Sequence, residues 1–74
     1  MASVDEVRSE MGRFWGEGPG SDAELSALAD ALRTLEKSQV ELLGAMIPHG
    51  IPGTPMGTRL GRLHTLVAGI LKEK

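Results

Sequence analysis

Apolar residues along this chain recur at steps of three and four, and nowhere keep the two-residue alternation of a half-buried strand. Val4, Val7, Met11 and Phe14 fall on one helical face. Ser3-Val4-Asp5-Glu6 ahead of them reads as a capping box, with Ser3 at the N-cap and Glu6 three residues on. The spacing predicts a short helix over about 4–15, ended by Gly16-Glu17-Gly18-Pro19-Gly20, a Gly-rich link over 16–20.

A second capping box, Ser21-Asp22-Ala23-Glu24, opens the longest pattern in the chain. Leu25, Leu28, Leu32, Leu35, Gln39, Leu42 and Met46 step by three and four without a break, as the a and d positions of a coiled-coil heptad. From Val40 onward a second row, Val40, Leu43 and Ile47, widens the apolar arc, as for a helix with two or more neighbours. One continuous helix over about 22–47 is expected, ~39 Å long at ~1.5 Å per residue, and stopped by Pro48. Residues 48–53, Pro-His-Gly-Ile-Pro-Gly, form a stiff turn. Thr54-Pro55 then reads as N-cap and first residue of a third helix over about 55–72. Its apolar row is Met56, Leu60, Leu63, Val67 and Ile70, flanked by Leu66 and Leu71.

The fold class expected is all-α: a small three-helix unit in a single domain spanning 1–74, with an antiparallel hairpin between the second and third helices. Whether the first helix packs on its own hairpin or on a neighbour stays open. Size then changes the picture. At 74 residues without cysteine, the chain has neither disulfides nor a Cys-based zinc site to supplement a small core. Another chain is therefore expected in the structure, in an oligomeric helical bundle or on a larger protein. No apolar run approaches a membrane span, and the acidic start MASVDEVRSE lacks the features of a secretory signal, so the location expected is cytoplasmic.

Charge is unevenly spread. Residues 1–47 hold nine acidic and four basic side chains, a net of −5, whereas residues 48–74 hold one acidic and four basic, a net of +3. The basic third helix, with Arg59, Arg62, Lys72 and Lys74, could meet nucleic acid, most directly through Arg59 and Arg62. The favoured reading pairs it instead with acidic residues of the second helix, Asp30, Glu36 and Glu41, because nucleic-acid domains usually carry clustered net positive charge.

Several residues stand out as candidate contacts with a partner. Gly57, Gly61, Thr65 and Gly69 recur every four residues as a ridge of small side chains, suited either to a close helix–helix contact or to a bare solvent face. Gln39 among leucines either sets the register of an oligomer or lies at the edge where the two apolar rows cross. Trp15, beside the Gly-rich link, is either a partner anchor or a plug for the base of the core. Leu35, Val40, Leu43, Ile47 and Leu66 are candidates for an oligomer interface or for an internal core.

Chemistry is sparse. His49 and His64 have no Cys beside them and no second His at helical spacing, so no metal site is expected. Gly16–Gly20 lacks the Lys of a phosphate-binding loop and follows no strand, and no nucleophile–base pair stands out. Neither an enzyme nor a cofactor is expected. In fold type alone, a helical hairpin with Trp15-Gly16 resembles the small exported helical dimers that carry a Trp-X-Gly turn, which implies a helical partner of a secretion system. Trp15-Gly16-Glu17 lacks the third-place glycine, Trp15 precedes the long helix, and no Tyr is present for that family's carboxyl-terminal motif. The reading reached is a non-enzymatic interaction or structural module that buries heptad-spaced helix faces in a homo-oligomer, a dimer or higher, or on a larger protein. Its alternatives are a small nucleic-acid-binding regulator and the secretion partner.

Overall fold

In a computed structural model describing residues 3–16 and 21–74, the chain forms α1 (Val4–Gly16), α2 (Asp22–Arg33), α3 (Lys37–Met46) and α4 (Pro55–Glu73). The all-helical class agrees with the periodicity, and the described residues contain no strand. The first and last helices lie where their spacing predicts. Residues 17–20 of the expected Gly-rich link lie outside the described residues.

The number of helices is a correction: the described residues form four, not three. The long helix expected over 22–47 is two helices, α2 and α3, divided at Thr34-Leu35-Glu36. The physical reason is local competition for backbone groups. Thr34 turns its hydroxyl back onto the Ala31 carbonyl at 2.7 Å, and its N–H reaches the carbonyls of Ala31 and Leu32, closing α2. Glu36 then swings to an extended conformation (ψ 156°), and the Gln39 side-chain oxygen accepts its N–H at 2.9 Å. Lys74 donates to the Arg33 and Leu35 carbonyls, at 3.2 and 2.6 Å, satisfying acceptors that the break exposes.

The break also shifts the phase of the buried face. Up to Leu35 the core takes the first apolar row, through Leu28, Leu32 and Leu35. Beyond it the core takes the second row, Val40, Leu43 and Ile47, while Leu42 and Met46 of the first row turn outward at 56% and 46% exposure. A seam that an unbroken helix would present on one side is thus divided between the inside and the outside of the molecule.

Helix α4 packs against all three others, and α1 packs on both α2 and α3. Val7, Met11 and Phe14 of α1 meet Leu60, Leu63, Val67 and Ile70 of α4 in one apolar core, with no polar side chain buried among the described residues. Close approach of α3 to α4 depends on Gly44, where an added Cβ would lie 2.8 Å from Val67 Cγ1. The turn into α4 is closed by Thr54, whose hydroxyl donates to the Ile51 carbonyl (2.7 Å) and accepts from the Gly57 N–H (3.0 Å). Gly53 at φ 88° supplies the left-handed residue this turn needs.

Candidate interaction surface

Packing is less complete where α1 crosses α3. There the surface sinks into a groove of about 320 Å³, lined mainly by apolar groups. Its floor is the outer edge of the core: Met11, Leu43 and Ile47, each less than 5% exposed. Arg8, Ser9, Gly12 and Trp15 form the α1 wall, and Met46 forms the α3 wall. The trough exists because α1 is small where it faces out. Gly12 has no side chain, and a Cβ built there would meet nothing within 4 Å. Ser9, one turn earlier, adds only a hydroxymethyl group.

Electrostatically the groove is nearly neutral. The charged residue among those lining it is Arg8, which pairs with Asp5 at 3.5 Å within α1. Both side chains are well exposed, so the pair adds little stability. Its effect is to balance the guanidinium within the same chain.

The residues singled out in the sequence are dispersed by the fold. Trp15, Leu43 and Ile47 meet in the groove. Leu35 and Val40 are buried in the chain's own core, at 6% and 0% exposure, and Leu66 is half-buried against it. Gln39 is half-buried and engaged as the cap of α3. The small-residue ridge of α4 divides. Gly57 is pressed under the turn, where a Cβ would lie 2.1 Å from the Ile51 carbonyl oxygen, whereas Gly61 and Gly69 face open space.

The two arginines considered for nucleic acid are both engaged within the chain. Arg59 Nε donates to the Trp15 carbonyl at 3.1 Å, a cation on the carboxyl end of α1, and Arg62 pairs with Asp22 at the start of α2. Of the acidic residues expected to face α4, Asp30 pairs instead with Arg33 of its own helix, and Arg33 also reaches across to Glu73 of α4. His49 and His64 stack with ring centroids 4.8 Å apart and planes 6° from parallel, and His64 Nε2 lies 3.2 Å from the Pro48 carbonyl oxygen. The described residues hold no group of three or more His, Cys, Asp or Glu side chains able to bind a metal, and no helix among them is long and apolar enough to cross a membrane.

Leu42, Met46 and Gly12 were not singled out as contact residues by the spacing. An unbroken heptad places Leu42 and Met46 inside, and only the interruption at residues 34–36 turns them out. For Gly12 the available signal was a glycine in the middle of a helix that could accommodate a larger residue. Comparison with known protein families, characterised proteins and solved structures found no match.

Proposed function

We propose that this protein is a non-enzymatic protein-binding module that docks through the α1–α3 face: the groove around Gly12 together with the ridge of Leu42 and Met46 beside it. The observation that carries this reading is a contrast within one surface. The interior is closed and wholly apolar among the described residues, yet large apolar side chains remain outside it next to a concave apolar trough. Exposed apolar side chains beside an apolar recess offer surface suited to contact with another protein. The engagement of Arg59 with α1 and of Arg62 with Asp22 disfavours the nucleic-acid alternative. The proposed setting is the cytoplasm, where the module would act as a structural subunit or an adaptor.

A photo-crosslinking residue placed at Ser9, on the groove rim, tests the reading in extract of the native source. Gly69 on the far end of α4, where added atoms meet nothing, is the reference site. Protein adducts formed from position 9 and not from position 69 are the expected result. An absence of adducts at position 9, or the same adducts from both sites, would overturn it.

A further inference from the structure

The α1–α3 face has two features that together select its occupant. The first is shape. Groove and ridge lie side by side: Met46 forms one wall of the trough, and Leu42 stands one turn before it on the same flank of α3. A two-fold contact is self-complementary, and this face offers both a projection and a recess able to receive it from the second copy.

The second feature is charge. Across a two-fold axis a face meets its own charges, so any imbalance repels the second copy. Here Arg8 is balanced by Asp5 of the same chain. The charges in the body of α3 point elsewhere: at ~100° per residue, Lys37 lies roughly 180° and Glu41 roughly 140° around the helix from Met46. The Leu42–Met46 ridge itself carries none. A partner selected by opposite charge would have little to read on this face, whereas an identical face meets no penalty.

We propose that a second copy of this chain occupies the α1–α3 face, each copy seating its Leu42–Met46 ridge over the Gly12 trough of the other in an isologous dimer. This rests on the reading of that face as a protein-docking surface and names what docks there.

Sedimentation velocity of the full chain across micromolar concentrations tests it, with Gly12→Gln to fill the trough, Met46→Glu to place a charge on the ridge, and Gly61→Gln as a matched reference. Gly61, like Gly12, sits within a helix and faces open space, so both glutamines raise helix propensity and neither threatens folding. Circular dichroism checks each variant; should Met46→Glu lose its fold, Gly12→Gln alone decides. The expected result is a wild-type dimer whose dissociation constant rises more than about tenfold in each groove variant and is unchanged in Gly61→Gln. A dimer that ignores the groove variants, or that dissociates in Gly61→Gln, overturns the proposal.

Binding of the fluorescent apolar probe anilinonaphthalene sulfonate separates the remaining outcomes. A wild-type monomer that binds the probe, with binding lost in Gly12→Gln, overturns the second copy and leaves the docking surface standing. A monomer whose probe binding ignores Gly12→Gln overturns both.

Discussion

Gly44 and Gly12 both stand inside helices, and their surroundings are opposite. Gly44 lets α3 settle against α4, where a Cβ would fall 2.8 Å from Val67 Cγ1; Gly12 leaves the α1–α3 seam open, where a Cβ would meet nothing within 4 Å. Each glycine lowers the intrinsic stability of its helix by up to ~1 kcal/mol relative to alanine. On the α4 side that loss is offset by close packing of helix on helix. On the α1–α3 side the chain gains no such contact, and what results is a recess beside exposed apolar side chains. Gly44 thus belongs to a seam that is packed shut, and Gly12 to one that stays open.

Substitutions can break this contrast, beginning with the closed side. Leu63→Ala empties a fully buried position on α4 and is expected to cost about 2–5 kcal/mol in urea unfolding, a large part of the stability of so small a domain. A loss under ~1 kcal/mol would mean the four-helix core is not formed as described. Gly57→Ala comes next, at about 1–3 kcal/mol, because the obstacle is the Ile51 carbonyl, a backbone group that cannot rotate aside.

Smaller effects sharpen the comparison. Gly44→Ala is expected to cost ~1 kcal/mol, less than Gly57→Ala because its obstacle is a side chain, and its coupling with Val67→Ala in a double-mutant cycle should be non-zero. Gln39→Ala removes the acceptor for the Glu36 N–H and should lower stability by ~0.5–1 kcal/mol, the scale of a lost helix cap. Gly12→Ala is the change of opposite sign: thermal unfolding is expected to show a gain of ~0.5–1 kcal/mol, since a methyl group there meets no neighbour. Equal losses at Gly12 and Gly44 would remove the distinction between the two seams.

Much of this architecture was legible before the structure, and what was not has a specific cause. The capping residues Ser3, Ser21 and Thr54 all accept N–H groups at helix starts, as their positions imply. The faces of α1 and α4 are buried through the expected residues, apart from Val4, which is half-buried at the start of α1, and Met56, which lies 48% exposed at the start of α4. The division of α2 from α3 was hidden because Thr34, Leu35 and Glu36 contain neither Gly nor Pro and the heptad row runs straight through them. The relevant signal was Gln39, three residues after Glu36: its polar side chain, placed in an apolar row, caps a helix start. Reading it as part of a seam left Leu42 and Met46 inside. Of the groove, Trp15, Leu43 and Ile47 were visible in the pattern, while the void over Gly12 depends on how α1 crosses α3, which periodicity does not encode.

Two methionines of nearly equal exposure provide the most direct test of the α1–α3 face as the place where chains meet. Met46 borders the groove at 46% exposure, and Met56, at 48%, stands at the start of α4 and does not line it. Methyl NMR spectra recorded along a dilution series follow both at once. The Met46 and Leu42 methyl signals are expected to move with concentration while the Met56 methyl stays fixed. Movement of Met56 without Met46, or no movement of any of the three at concentrations where the chain self-associates, would contradict the account.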